Sequence, residues 1–197
     1  MTSTTLREMF SLDNSVPALA DSAVVLVDYQ NTYTKGDLEL QGWRGALAEG
    51  KTLLEAARAA GAPVIHVQND GGEGTPYDVK AEIGRIHDDV APADGEAVVT
   101  KTKAPSAFLG TDFEDVLKKT GKKKVIVAGF MTNMCVQYTA ADASLKGYHT
   151  TVVAEASATR GVKTAAGDVT AQQMHNGALA TIADRYGVVV KNTAALK

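Results

Sequence analysis

The chain has 197 residues, 45% hydrophobic and 22% charged, which is the size and composition of one folded domain spanning residues 1–197 rather than a disordered segment. Its formal net charge of −3 argues against nucleic acid or an anionic membrane surface as partner, since neither would be attracted, and leaves small neutral or cationic molecules open. A single cysteine excludes an intrachain disulfide, the N-terminus lacks the basic-then-apolar order of a secretion signal, and no apolar run approaches the ~20 residues of a membrane span. A reducing cytoplasm is the expected compartment.

Short β-branched runs at 23–27, 64–67, 97–99, 125–128, 150–154 and 188–190, each bounded by Gly, Pro, Asn, Asp or charged residues, predict six strands. Helical spacing fills four of the gaps between them: Leu47, Leu54 and Ala57; Phe113, Val116 and Leu117; Val136, Ala140 and Ala143; and Ala171, Met174, Ala178 and Ile182. Gly61 and Gly147 suit left-handed caps after two of these helices, and Pro63 opens the next strand. Strands apolar nearly throughout, alternating with helices, predict an α/β fold with a parallel sheet covered on both faces, a three-layer α/β/α sandwich. The Gly-rich stretch 69–74 is expected to be a mobile loop.

In open parallel sheets ligands bind beyond the carboxyl ends of the strands. There the first strand delivers Asp28, the third delivers Lys101-Thr102-Lys103, and the fourth leads through Gly129-Phe130-Met131-Thr132-Asn133-Met134 to Cys135. Taken singly, an Asp after a strand is often a turn residue, a Lys is usually a solvated charge, and a lone Cys is more often a small hydrophobe. The combination carries more, because Cys135 precedes a helical stretch with Thr132 or Asn133 available as cap, and a helix N-terminus lowers a thiol pKa and presents free N–H groups. His66, His87, His149 and His175 lack metal-ligand spacing, so no metal site is expected, and the Gly-rich strings lack the dinucleotide-binding pattern.

Several strings together resemble the isochorismatase-like, or cysteine hydrolase, superfamily, which includes nicotinamidases and N-carbamoyl amidohydrolases. They are Val27-Asp28-Tyr29-Gln30-Asn31, Lys101 followed by Ser106-Ala107-Phe108, Gly129 to Val136, and Thr139 to Ala143 with Gly147-Tyr148. The resemblance implies a six-stranded parallel sheet of order 3-2-1-4-5-6 and a triad of Asp28, a lysine and Cys135. Lys101 follows its strand directly, and Lys103, on the same side of an extended chain, is the alternative. The resemblance further implies a cis peptide between Phe130 and Met131 and an oxyanion hole formed by the Met131 and Cys135 N–H groups. Gln30, Tyr33, Phe108 and Tyr138 are candidate substrate contacts, no cofactor is required, and a homo-oligomer, dimer or tetramer, is the implied assembly. The expected activity is hydrolysis of an amide or ureido C–N bond of a small molecule through a thioester on Cys135. Its rivals are a vinyl-ether hydrolase working through Asp28, and a non-catalytic scaffold with a redox-responsive thiol.

Overall fold

A computed structural model describes residues 4–197. In chain order it contains α1 (Leu6–Met9), β1 (Ser22–Val27), α2 (Trp43–Ala59), β2 (Val64–Asn69), β3 (Ala97–Lys101), α3 (Phe113–Lys119), β4 (Lys124–Phe130), α4 (Gln137–Leu145), β5 (His149–Ala158), β6 (Val162–Thr164), β7 (Gly167–Val169), α5 (Ala171–Thr181) and β8 (Val188–Val190). Six parallel strands form one sheet in the order β3-β2-β1-β4-β5-β8. This is the expected arrangement, with β8 as the sixth sheet strand because the short antiparallel hairpin β6–β7 intervenes.

Every residue of β1 is buried, and its side chains alternate between two cores. Val24 and Leu26 join the core under α2, whereas Ala23, Val25 and Val27 join the core under α3 and α4. This period-two division is why the strand is apolar from Ala23 to Val27 rather than alternating with polar residues. Helix α2 turns Ala46, Leu47, Leu53, Leu54 and Ala57 to the sheet. Leu53 and Leu54 are buried, each contributing roughly 1.5–3 kcal/mol of transfer free energy. Gly61 (φ +65°) and Gly147 (φ +88°) follow α2 and α4 in the left-handed conformation that closes a helix.

At the carboxyl end of the sheet β1 and β4 approach closely. Val27 pairs with Gly129, and a Cβ on Gly129 would lie 1.9 Å from the Val27 carbonyl oxygen, at a backbone φ of +136°. Only glycine fits there. Strand β5 extends beyond the predicted 150–154, and its register against β4 shifts after Val127, so that Ser157 and Ala158 lie beside Gly129 and Phe130. No described helix is long and apolar enough to cross a membrane.

Candidate active site

Asp28 leaves β1 with φ +49°, in the left-handed region that aspartate tolerates better than most residues. Its N–H still bonds the Val67 carbonyl at 2.9 Å, so the bend starts at the sheet and turns the carboxylate off the strand. Lys101 is the last residue of β3, paired with Asn69 of β2. Both side chains are fully buried, with Lys101 Nζ 2.8 Å from Asp28 Oδ2. The same ammonium lies 3.4 Å from Cys135 Sγ. Lys103 is exposed, which leaves Lys101 as the lysine brought to Asp28 and Cys135. The Lys101 contact is an ion pair of poor hydrogen-bond alignment, and neither Asp28 oxygen has a well-aligned donor among the described residues.

Cys135 stands 5% exposed in a single π-helical turn, Thr132–Val136, that runs into α4. The peptide before Met131 is cis, as is Ala104–Pro105. The Met131 carbonyl accepts from the N–H groups of Met134 (3.0 Å) and Val136 (3.2 Å), the residues on either side of Cys135. The expected caps act elsewhere. Thr132 Oγ1 pairs with His175 Nδ1 of α5 at 2.9 Å, and Asn133 Oδ1 accepts from Thr159 Oγ1 at 2.6 Å.

Burial pushes the Asp28 carboxyl above the usual carboxylate range, against the opposing pull of Lys101. Burial works to discharge Lys101, but the Asp28 and Cys135 charges outweigh it and hold the ammonium charged. The Cys135 thiol is pushed well up, first by burial and then by Asp28. Burial thus acts against the lowering expected of a helix N-terminus. These directions favour a protonated thiol beside the Asp28–Lys101 pair. Moving the thiol proton to Asp28 leaves the net charge of the three groups unchanged, so the transfer creates no net buried charge.

The other sequence candidates separate. Tyr33 is buried, edge-on to Phe130 at 5.8 Å between ring centroids, and within electrostatic reach of Asp28 and Cys135. Gln30 is taken up structurally: its Oε1 accepts from Asn69 N–H at 2.8 Å and its Nε2 donates to the carbonyls of Asn69 (2.9 Å) and Gly84. Its amide is thereby spent on backbone partners. Phe108, half-buried at the edge of the core, packs edge-on against Phe113 at 4.7 Å with the Lys146 ammonium 5.3 Å from its ring. Tyr138 is half exposed on the first turn of α4. The segment that follows the Gly-rich stretch 69–74 is tied down, as Thr32 bonds the carbonyls of Pro76 and Ile83, Asn31 that of Glu82 and Gln30 that of Gly84. Sequence reasoning missed Tyr77 and His175. Both reach the site only through tertiary contacts, so no local signal marks them.

A family model described as the isochorismatase domain matches residues 22–194. The chain is 34% identical over 187 residues, 94% of its length and 96% of the relative's, to the secreted isochorismatase effector Isc1 of Verticillium dahliae. It is 32% identical over 160 residues, 63% of this chain and 70% of the relative, to the ureidoacrylate amidohydrolase RutB of Agrobacterium fabrum. Among solved structures, an isochorismatase from Pseudomonas putida KT2440 superposes with a TM-score of 0.95 at 34% identity, covering all of both chains. With the sheet order and the match agreeing over nearly its whole length, this chain belongs to the isochorismatase family of the isochorismatase-like cysteine hydrolase superfamily.

Proposed function

We propose that this hydrolase cleaves an amide or ureido C–N bond of a small molecule by transferring the acyl group to Cys135. The observation that carries the reading is the buried Lys101 ammonium in contact with both Asp28 and Cys135. Asp28 takes the thiol proton as Sγ attacks the carbonyl carbon, and the resulting oxyanion is held by the Met131 and Cys135 N–H groups. Collapse breaks the C–N bond, Asp28 returns the proton to the leaving amine, and a thioester remains. Water, deprotonated by Asp28, then attacks the thioester and regenerates the thiol as the acid is released. Lys101 stays charged throughout and compensates whichever of Asp28 and Cys135 carries the negative charge.

RutB, named as an amidohydrolase, supports the C–N class, and the chemistry requires no cofactor or metal. The reading places the protein in a reducing compartment such as the cytoplasm, acting on a small molecule and away from nucleic acid and membrane, as a dimer or tetramer. The test is an amide panel (nicotinamide, N-carbamoyl amino acids, lactams, aryl amides) read by amine or ammonia release, followed by acid quenching during turnover. One acyl adduct on the peptide containing Cys135 is expected, and Cys135→Ala should be inactive yet folded. A second reading, vinyl-ether hydrolysis through Asp28, is favoured by the isochorismatase names of two relatives. Full activity of Cys135→Ala would promote it.

A further inference from the structure

Tyr77 lies on the segment between β2 and β3, 44 residues beyond Tyr33 in the chain, yet the two hydroxyl oxygens are 3.1 Å apart and the rings meet edge-on at 5.9 Å. The position of Tyr77 is over-determined. Thr32 Oγ1 donates to the carbonyls of Pro76 (2.6 Å) and Ile83 (3.0 Å). The Asp78 carboxylate accepts from the N–H groups of Gly74 and Lys80 at 3.0 Å each. Gly71 N–H donates to the Tyr77 carbonyl at 3.1 Å. Gly84 lies so close to Asp78 that a Cβ would stand 2.3 Å from its carbonyl oxygen. Residues that closely follow Asp28 thus clamp the loop and bring the Tyr77 hydroxyl back against that of Tyr33.

We propose that Tyr77 is a substrate-binding residue: together with Tyr33 it offers a hydroxyl pair to the part of the substrate beyond the reacting carbon, and it selects a group that is uncharged and accepts hydrogen bonds. This builds on the reading of Cys135 as the reactive group. The stereochemistry follows from Tyr33, whose ring packs on Phe130, two residues from the start of the turn that carries Cys135. One O–H is used within the pair and one remains to donate, which suits a carbonyl or ether oxygen. Burial holds both phenols in the neutral form; Asp28 reinforces this at each ring, and Lys101 opposes it at Tyr77. An anion seated against these two rings would give up its hydration with no cation beside it but Lys101, which Asp28 already engages, so an uncharged acceptor is favoured there.

Two alkylating probes of near-equal size test this on the intact protein: neutral iodoacetamide and anionic iodoacetate, with adducts at Cys135 counted by mass spectrometry. In each reaction sulfur displaces iodide and the thiol proton leaves through Asp28. Each rate is divided by that of the same reagent with glutathione. Iodoacetamide should then be faster by about tenfold, and Tyr77→Phe should narrow the ratio about 3- to 10-fold, the scale of one neutral hydrogen bond. Its thermal midpoint should stay parental. On a hydrolysed substrate the same variant should raise KM and spare kcat. Equal normalised rates, faster iodoacetate, no labelling by either reagent, or a parental ratio in Tyr77→Phe would each overturn the assignment. A charge preference that persists in a protein hydrolysing no amide would remove the amidase reading and uphold this one.

Discussion

Replacing Lys101 with methionine keeps most of the side-chain volume and removes the ammonium. In the parent that ammonium lies 2.8 Å from Asp28 Oδ2, with both side chains out of water. Its loss strands a carboxyl group whose pKa burial already raises, and removing one partner of a buried ion pair costs about 3–5 kcal/mol. At roughly 2–4 °C per kcal/mol for a domain of this size, the thermal midpoint of Lys101→Met should fall by about 6–20 °C near pH 8. The loss depends on pH with a definite sign. Without Lys101 the folded-state pKa of Asp28 rises further above its unfolded value, so stability is greatest where both states hold the proton and falls as pH climbs from the unfolded pKa through the folded one. The gap to the parent should therefore narrow from pH 8 toward pH 5. Adding Asp28→Asn to Lys101→Met should recover much of the stability, because the stranded charge is gone. Thermal unfolding of the four proteins, followed by circular dichroism at both pH values, gives the coupling. A parental midpoint for Lys101→Met at pH 8, a loss independent of pH, or a double variant weaker than the single one would refute the reading.

Asp28→Asn alone should fold and lose about 10²–10⁴-fold in kcat on any amide found, the usual scale for general acid–base work; parental turnover would reduce Asp28 to a turn residue. Gly129→Ala should lose more than about 4 kcal/mol, seen in the urea midpoint and in soluble yield, since its Cβ would collide with the Val27 carbonyl. The thiol of Cys135, pushed up by burial, should show no ultraviolet thiolate absorbance through about pH 9 when compared with Cys135→Ala. A thiolate signal near neutral pH would contradict the resting state described here.

Some of this was legible in the sequence, for physical reasons that differ from residue to residue. The strands could be read because a sheet covered on both faces needs apolar residues without alternation, as in 23–27. Asp28 and Cys135 could be placed because strand ends are where such sheets bind ligands, and the family resemblance supplied the order of the strands. The choice between Lys101 and Lys103 depended on register and burial, which a pattern of charges does not encode. For the thiol, a helix start can be read from sequence, whereas the burial that acts against it cannot. The hairpin of Val162–Thr164 and Gly167–Val169 is short and exposed, too polar to register as strand. Gln30 looked like a ligand contact, but its amide is consumed by backbone partners far along the chain.

The burial of the triad has a consequence for ionic strength. Dissolved ions screen charges through water, over about 8 Å at physiological salt, and no water-exposed path links them to Asp28 and Lys101 when both are fully buried. The Lys35–Glu82 pair is different: at 3.3 Å and with more than half of each side chain exposed, it joins the connection after β1 to the segment carrying Tyr77, and salt weakens it. Added salt should therefore act at most slightly, on the surface of the Tyr77 segment, and not on the proton transfer between the buried groups. A slight rise in KM with salt at constant kcat would separate the two parts of the site.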